Sequence, residues 1–453
     1  MRSASLAVRP LRLALLIWVA SAAGHVAAED CRQRPAGVYD PAGFAGSETC
    51  AACHPQHYDE WQGSAHAYAV ADPVFWYANE ASYETNGIEN FCITCHSPIQ
   101  DLADGEPDSH ASAREDLDPV AQNGVDCETC HRIFDVTNGV KQLTGCEDHY
   151  FGPIADPAGS PHGAEYADAF QSAAFCKPCH DVNLTKEPTF ELFQIEFTST
   201  EWEDANAAAG GTAEDPAIAT CQGCHMASYA GPAAKEGPER EVHHHQFPGV
   251  DVALLPFADS HRQYRATQDL LRSAGAIDAQ LEGRSVRVDV TNLIVGHDLP
   301  SGSAHARAVW VHLRVVGADG TVHLESGDLD ANGDLRDANS EFDPYGDPWI
   351  SNGESVFRQY MYDEHGDEVV AAYGLVTLVQ KDMLTSGEVR SIWYDLADVL
   401  PADAAWPVQV DARLLFRPAA NFILREIGMP QDEIDLVPTL EIAATSLTID
   451  GEP

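Results

Sequence analysis

Ten of the twelve cysteines in this 453-residue chain share one spacing, C-x-x-C-H. Two thiols separated by two residues can reach the two vinyl groups of one porphyrin, while the adjacent histidine reaches the iron from one face. The spacing therefore predicts five covalently bound haem c groups, each with a histidine as its first axial ligand. The five motifs are Cys50-Ala-Ala-Cys53-His54, Cys92-Ile-Thr-Cys95-His96, Cys127-Glu-Thr-Cys130-His131, Cys176-Lys-Pro-Cys179-His180 and Cys221-Gln-Gly-Cys224-His225.

Other uses of paired cysteines explain the pattern less well. A zinc site needs four ligands from two pairs and gives no reason for a histidine after every second cysteine. Disulfides within each C-x-x-C unit would also leave the histidines unexplained. Cys31 and Cys146 lie outside the motifs. In an oxidising compartment they could form a disulfide, so both a disulfide and two free thiols remain open.

The segment CHPQHYDEWQGSAHA, at residues 53–67, resembles the multihaem cytochrome c family typified by the tetrahaem cytochrome that serves hydroxylamine oxidation. Further stretches that are similar to multihaem relatives are GVDCETCH, SPHG at 160–163, CQGCHM, HQFPG at 245–249 and GHDLPSG at 296–302. The last is followed by RAVWVHLRV, which resembles the β-domain of some of these cytochromes. The resemblance implies a haem domain followed by a β-domain.

The same resemblance implies which histidines occupy the second face of each iron. His66 and His162 lie in matching family segments and are expected to be distal ligands, as are His245 and His297. The triplet at 243–245 leaves the register of the third of these uncertain. For the fifth iron, His110, His149 and a vacant face all remain open. The other histidines are interpreted as packing or surface residues, among them His57, His305, His312 and His323.

The occupant of the second iron face decides the function, because an iron with two histidines can only pass electrons whereas a vacant face can bind a small molecule. The first hypothesis is an electron-transfer protein, rather than an enzyme, between a redox donor and acceptor. The second is a multihaem oxidoreductase acting on a small nitrogen or sulfur compound. The third is a subunit of an extracellular conductive assembly, as an oligomer or filament. No catalytic residue is predicted, since no lysine replaces a motif histidine.

The charge balance is strongly acidic, with 71 acidic against 26 basic residues. This balance excludes nucleic acid as a partner. The acids are spread along the whole chain, so a surface adapted to high salt is favoured over a local docking face for a basic protein.

Residues 1–28 have the pattern of a secretory signal, with three arginines, an apolar stretch and small residues before a cleavage site after Ala28. No later segment is apolar enough to span a membrane. A periplasmic or extracellular protein without an integral membrane segment is therefore expected.

The chain is predicted to be α+β, with two domains after the signal. Residues 29–249 would form a pentahaem domain of short helices and loops packed on the haems, and 250–282 a connecting amphipathic helix. From 283 to 453, alternating β-branched segments separated by turns predict a β-sandwich of Ig-like type. Within it, Asp328, Asp330, Asn332 and Asp334 resemble the start of a Ca²⁺ loop, although Asn339 replaces the expected glutamate and a solvated turn is favoured.

Overall fold

The computed structural model describes residues 43–452 apart from 87–89, 101–109, 145, 147, 158, 187–190, 370–375 and 398. The predicted signal at 1–28 and Cys31 lie outside this part of the chain. The fold is α+β as predicted, with short helices first and antiparallel sheets after them.

Short elements make up the haem-binding region, because glycines, prolines and the motifs interrupt every periodic segment. The helices are α1 (Ser47–Ala51), α2 (Pro55–Trp61), α3 (Ala65–Tyr68), α4 (Pro73–Asn86), α5 (Ile93–His96), α6 (Cys127–His131), α7 (Lys177–His180), α8 (Thr198–Ala208) and α9 (Cys221–His225). Four 3-10 turns lie at Arg114–Asp116, Ala121–Asn123, Asp168–Gln171 and Ala173–Phe175.

Four two-stranded sheets accompany these helices, and the alternation of the sequence did not predict them. The strands are β1 (Ile133–Thr137), β2 (Val140–Leu143), β3 (His149–Gly152), β4 (Gly163–Tyr166), β5 (Val182–Lys186), β6 (Glu191–Glu196), β7 (Ser228–Pro232) and β8 (Glu239–His243). Three of the pairs are antiparallel, and β3 and β4 are parallel.

The second region contains the long strands. They are β9 (Gly275–Glu282), β10 (Ser285–Asn292), β11 (Ala308–Val316), β12 (Val322–Ser326), β13 (Val356–Tyr362), β14 (Leu378–Asp382), β15 (Val389–Asp395), β16 (Val408–Arg417) and β17 (Leu440–Ile449). The helices here are α10 (Ser260–Ala274), α11 (Pro348–Ser351), α12 (Asn421–Glu426) and α13 (Gln431–Ile434). One sheet has the order β15-β10-β9, and the other β14-β13-β11-β16-β17 with β12 also on β11.

A single hydrophobic core joins these two sheets. In β10, Val286, Val288 and Val290 are fully buried and alternate with more exposed residues. They share one cluster with Val311 of β11 and Leu414 of β16. Burying one such side chain contributes about 1.5–3 kcal/mol to stability. The alternation in the sequence gives each sheet one apolar face, and the two apolar faces pack together as a sandwich.

The predicted connecting helix at 250–282 is wrong at both ends, because the helix covers only Ser260–Ala274. Helix α10 ends at Ala274, and strand β9 begins at Gly275 and pairs with β10 along its whole length. The reason is that Ile277 and Ala279 alternate with exposed residues and turn into the sandwich core, where they bury more apolar surface than a further helical turn would.

The β region packs firmly against the haem-binding region. Leu184 and Ile195 share a buried cluster with Met361 of β13 and with Val369. The buried side-chain amide of Gln359 donates to the carbonyl oxygen of Ile195 at 3.0 Å. These contacts fix the position of the β region relative to the strands of the haem-binding region.

Across the described residues, we find no helix with the length and apolar character needed to cross a bilayer.

Candidate haem-binding site

Each C-x-x-C-H motif folds into a tight helical turn. The backbone N–H of the motif histidine donates to the carbonyl oxygen of the first cysteine at 2.8 Å for His54 and at 3.1 Å for His96 and His180. The third and fifth motifs form α6 and α9 over their whole length. Because residues three and four apart share one helix face, both thiols and the imidazole point to the same side. One porphyrin requires that arrangement.

Hydrogen bonds from Nδ1 to backbone carbonyl oxygens set the orientation of most candidate ligand rings. Such a bond fixes the tautomer and leaves Nε2 available to a metal. The bonds are His54 to Ala233 (2.7 Å), His96 to Ala69 (3.3 Å), His131 to Phe151 (2.7 Å), His225 to Pro248 (2.7 Å), His162 to Gly163 (3.0 Å), His245 to His243 (2.9 Å) and His297 to Asp298 (2.8 Å).

Four motif histidines face a predicted distal histidine across a gap of nearly constant width. An iron with an imidazole nitrogen about 2 Å away on each side separates the two ring centroids by roughly 6 Å. The observed separations are 6.4 Å for His54 and His162, 6.3 Å for His180 and His66, 6.4 Å for His131 and His245, and 6.4 Å for His225 and His297.

Direct ring packing does not account for these gaps, because rings in contact lie closer together. The centroids of His57 and His245, for example, are 4.5 Å apart. With a cysteine pair beside each gap and Nε2 left unused, the residues fit an iron porphyrin.

One of the pairings crosses between motifs. His66 follows the first motif in the sequence, in α3, but faces His180 of the fourth motif. The first motif's His54 faces His162, which is 108 positions further along the chain. The sequence predicted which histidines are candidates but not which motif each one faces.

Burial keeps three of the four predicted distal imidazoles neutral. It lowers the pKa of His66 and of His245 to about 3 and the pKa of His297 to about 4. A neutral imidazole is the form that binds a metal, so these rings are in the ligating form at any ordinary pH.

The second motif differs from the other four. The ring of His96 stacks on Phe75 with centroids 4.4 Å apart. Within the described part of the chain, no histidine ring faces His96 at the separation that the other four pairs share.

The two candidates for the fifth distal ligand are engaged elsewhere. His110 stacks on Tyr83 at 3.9 Å, and its Nε2 pairs with the carboxylate of Glu80 at 3.0 Å. The Nε2 of His149 lies 3.5 Å from the Glu165 carboxylate. Neither ring pairs with His96 at the separation that the other four motif histidines share, and both contacts place these rings against other partners.

Motifs that are distant in the sequence are neighbours in space. The backbone N–H of Gly46, before the first motif, donates to Glu128 in the third at 3.0 Å. The thiol of Cys95, in the second motif, donates to the carbonyl oxygen of Pro178 in the fourth at 3.9 Å, and the thiol of Cys221, in the fifth, donates to the carbonyl oxygen of Ala173 just before the fourth, also at 3.9 Å. The side chains of Cys130, in the third motif, and Cys179, in the fourth, are also neighbours. The fourth motif thus adjoins the second, third and fifth.

A buried carboxylate sets the register of the histidine triplet. Glu60 of α2 is only 7% exposed, and it accepts hydrogen bonds from the backbone N–H of His245 and from Nδ1 of His244, both at 2.7 Å. Burial alone would raise the pKa of Glu60, but the hydrogen bond from His245, with others, lowers it. Glu60 therefore binds the ring of His244, while the ring of His245 is left to face His131. The sequence alone did not indicate this role of Glu60.

A buried asparagine holds the loop that carries His297. Asn292 is fully buried at the end of β10, and its side-chain amide donates to the carbonyl oxygens of His297 at 3.1 Å and Leu384 at 2.9 Å. The carboxylate of Glu201 accepts a hydrogen bond from the N–H of Asp298 at 3.2 Å. Both regions of the protein therefore position this ligand candidate, and neither residue carries a sequence signal of its own.

The segment at 328–334, for which the sequence favours a solvated turn over a Ca²⁺ loop, is a network of ion pairs and turn hydrogen bonds. Asp328 pairs with Arg336, Asp334 pairs with Arg425, and Asp330 accepts a hydrogen bond from Ser340. The described residues contain no group of three acidic, histidine or cysteine side chains placed to hold a metal ion. The carboxylates are taken by arginines and turn hydrogen bonds instead of converging on a cation.

Comparisons with known proteins agree with this geometry. Residues 49–132, which hold the first three motifs, match the family model described as cytochrome c554 and c-prime. Among solved structures, the chain is similar in fold to a penta-haem cytochrome c552 from Thermochromatium tepidum, with a TM-score of 0.61 and 18% identity over 90% of this chain and 100% of that one. No curated protein matches this chain.

Proposed function

The chain is a multihaem c-type cytochrome whose residues 49–132 belong to the cytochrome c554 and c-prime family, and from this premise we propose that it relays electrons between redox partners in the cell envelope. Bound haem supplies reversible one-electron chemistry at iron. The chain's own residues would attach the haem groups, orient them and supply the axial ligands of the irons. The family resemblance predicted from residues 53–67 is thereby confirmed.

We propose five haem c groups held by the ten motif cysteines, with proximal ligands His54, His96, His131, His180 and His225. The distal ligands are His162, His245, His66 and His297, on the first, third, fourth and fifth haems respectively. The single observation that carries the relay function is the set of four facing pairs at 6.3–6.4 Å. Two strong axial ligands leave no position for a substrate, so such an iron exchanges only electrons.

The contacts between motifs support an order for the relay. The first motif adjoins the third, the third adjoins the fourth, and the fourth adjoins the fifth. Electrons would pass along this series, and the second haem would branch from the fourth. The donor and acceptor would dock at the first and fifth haems, at opposite ends of the series.

Export supports the envelope location. We propose that residues 1–28 are removed after Ala28 and that domains 29–249 and 283–453 form the mature protein. Cys146 is disulfide-bonded, and we propose Cys31, outside the described residues, as its partner. Disulfides and c-type haems both belong to compartments outside the cytoplasm.

Haem stoichiometry combined with reversible reduction tests the proposal. We expect five haems per chain in a pyridine haemochrome assay on purified protein. All five should be reduced by dithionite and fully reoxidised by ferricyanide over repeated cycles. Fewer than five haems, or irreversible bleaching on cycling, would contradict the proposal.

A second candidate function rests on the second motif. Because no described histidine faces His96 as the other pairs face each other, we propose that the second haem has an open iron face. Such a face could bind or transform a small nitrogen or sulfur compound. Titration of the reduced protein with carbon monoxide tests it: about one fifth of the Soret absorbance should shift, and no shift at all would rule out the open face.

A further inference from the structure

Three apolar side chains are exposed near one another where strand β10 ends. Leu293 and Val295, in the loop after β10, are 50% and 64% exposed. Val389 of β15 is 57% exposed, and it pairs with Thr291, two positions before Leu293. Single apolar residues are common on protein surfaces, whereas a patch of them marks a contact with another molecule. Leu293, Val295 and Val389 are called the apolar group below.

Hydrogen bonds hold the loop that carries Leu293 and Val295. The backbone N–H of Ile294 donates to the side-chain oxygen of Asn292 at 2.8 Å. The hydroxyl of Ser386 lies 2.9 Å from the carbonyl oxygen of Ile294 and 2.8 Å from that of Val295. Backbone contacts, rather than burial of the apolar side chains, therefore hold this loop in its conformation. A partner could cover such a preorganised loop with little loss of conformational entropy.

The same loop lies beside the fifth motif. It leads to His297, whose ring faces the motif histidine at 6.4 Å. A Cβ atom on Gly296 would lie 3.2 Å from the indole ring of Trp202, and the indole N–H donates to the carbonyl oxygen of Ala219, two residues before the motif, at 2.9 Å. Cys224, the second cysteine of the motif, is exposed. The apolar group and the fifth haem would therefore reach the same part of the surface.

Exposed carboxylates flank the fifth motif. Asp204 lies in α8, and Glu214 and Asp215 lie in the loop that leads from α8 to the motif. The buried side chain of Asn206 holds this loop against α8 through hydrogen bonds of 3.0 and 2.8 Å to the loop backbone. Acidic residues occur along the whole chain. They therefore indicate the charge of a partner, and the apolar group indicates where that partner binds.

We propose that the apolar group and these three carboxylates form the docking surface for a redox protein that has an apolar centre and a basic rim. The inference rests on the proposed function, in which the fifth haem is one end of the relay. Apolar contact would hold the partner beside the fifth haem, and opposite charges would steer its approach. A second copy of this chain is disfavoured as the occupant, because the formal charge of −45 makes two copies repel each other.

Binding without electron transfer tests the apolar group. The oxidised full-length holoprotein is titrated calorimetrically with an oxidised, lysine-rich monohaem cytochrome c, at low and at high ionic strength. Leu293→Ser combined with Val295→Ser removes apolar surface without adding charge, and we expect the dissociation constant to rise about fivefold at both ionic strengths. The control combines Leu436→Ser with Val140→Ser, at sites that are 50% and 60% exposed. It should leave the dissociation constant unchanged.

The carboxylates are tested by Glu214→Gln combined with Asp215→Asn. We expect this variant to bind the basic cytochrome more weakly than the wild type at low ionic strength and equally well at high ionic strength, because salt screens exposed charges. Glu364→Gln combined with Asp367→Asn is the control, since it removes two exposed charges from the turn after β13. This control should bind like the wild type at both ionic strengths.

Stopped-flow mixing gives a second measurement of the same surface. One electron passes from the dithionite-reduced holoprotein to each ferric probe molecule, and the second-order rate constant should fall in the apolar variant and not in its control.

An unchanged dissociation constant in the apolar variant would overturn the proposal, as would equal weakening in its control or no binding by the wild type. A wild-type dimer in gel filtration that the apolar variant abolishes would assign the surface to a second copy instead. None of these results would affect the relay function as long as all five haems cycle reversibly between dithionite and ferricyanide. Haem content measured on each variant separates an effect on docking from a failure to fold.

Discussion

At the residue scale, a distal histidine acts through one ring nitrogen, and its surroundings decide where that nitrogen points. His162, His245 and His297 all use Nδ1 for a backbone carbonyl, so Nε2 is left to face the partner ring. Backbone carbonyls one or two residues away in the chain thus set the orientation of these three predicted ligands.

Removal of one distal histidine should open one iron only. We expect His66→Ala and His162→Ala each to convert one fifth of the haem from low spin to high spin, and the double variant to convert two fifths. Electron paramagnetic resonance with spin quantification measures this. His149→Ala is the matched control and should leave the spectrum unchanged. A low-spin spectrum in His66→Ala would show that His66 is not a ligand.

Glu60 should behave as a positioning residue for the third haem. Glu60→Gln can still accept hydrogen bonds from the backbone, so its spectrum should stay close to that of the wild type. Glu60→Ala releases His244 and His245 together, and we expect a heterogeneous low-spin signal or a new high-spin fraction limited to one haem. The ratio of these signals, measured by the same resonance method, is the readout. If both variants change the spectrum equally, the hydrogen bond to His245 is not what matters.

The sequence predicts those parts of the site that consecutive residues form, and it predicts less well the parts formed by residues that are distant in the chain. Each motif is local, since five consecutive residues determine the attachment chemistry. Glu60 and Asn292 form hydrogen bonds with residues that are far away in the sequence, His244 and Leu384, so their roles are visible only after folding. His66 combines both cases: the family resemblance named it, and the fold alone assigned it to the fourth motif.

At the element scale, the third motif depends on the cap of its own helix. Asp126 is the N-cap of α6, and its carboxylate accepts hydrogen bonds from the N–H and hydroxyl of Thr129. Burial raises the pKa of Asp126 to about 7. The unfolded chain releases this proton near pH 4. In that window the folded state holds the extra proton, so the free energy of unfolding falls as pH rises from about 4 to about 7.

Asp126→Asn should remove that pH dependence. The asparagine oxygen can still cap the helix, but no charge has to be buried above pH 7. We expect the variant to be as stable as the wild type near pH 4 and more stable at pH 8. Urea unfolding midpoints at pH 4.5 and pH 8 measure the difference. Equal differences between variant and wild type at both pH values would contradict the prediction.

A buried ion pair at the third motif contacts the segment that precedes the first motif. Glu128, in the third motif, and Arg132, directly after it, are 2.9 Å apart with side chains 1% and 2% exposed, and the Arg132 guanidinium also donates to the carbonyl oxygen of Gly43. Glu128→Ala leaves the arginine buried without its counter-ion, which should lower the free energy of unfolding by about 3–5 kcal/mol. Chemical denaturation measures it. The control Asp269→Ala, at an exposed pair with Arg272, should cost less than about 1 kcal/mol. Equal losses of unfolding free energy in Glu128→Ala and Asp269→Ala would show that burial of the ion pair does not matter.

Sequence periodicity predicted most strands of the β region, though not β9 or β13, and missed the short strands of the haem-binding region. Strand β10 alternates over all eight residues, and β11 and β16 alternate over part of their length, so their hydrophobic pattern is strong. The strands of the haem-binding region are four to six residues long, which is too short to establish a period. The overrun of α10 has the same cause, because AIDAQLE is compatible with both a helix and a strand until β10 supplies a partner.

At the scale of the whole molecule, the fold class followed from the change in sequence pattern along the chain, from short helical segments to alternating strands. The order of the motifs in space did not, because contacts such as that between Cys221 and Ala173 depend on how the loops close. The β region also contributes to the candidate haem-binding site. It carries His297, and Glu201 in the haem-binding region helps to hold the loop on which His297 lies.

Four of the irons are proposed to be bound by two histidines each and to exchange only electrons, whereas the iron of the second haem is proposed to have an open face. Quantitative electron paramagnetic resonance of the oxidised full-length protein tests it most directly. We expect low-spin signals that integrate to four haems per chain, with the second haem high spin and responsive to an added ligand. Two or more high-spin haems in the native protein would contradict the account.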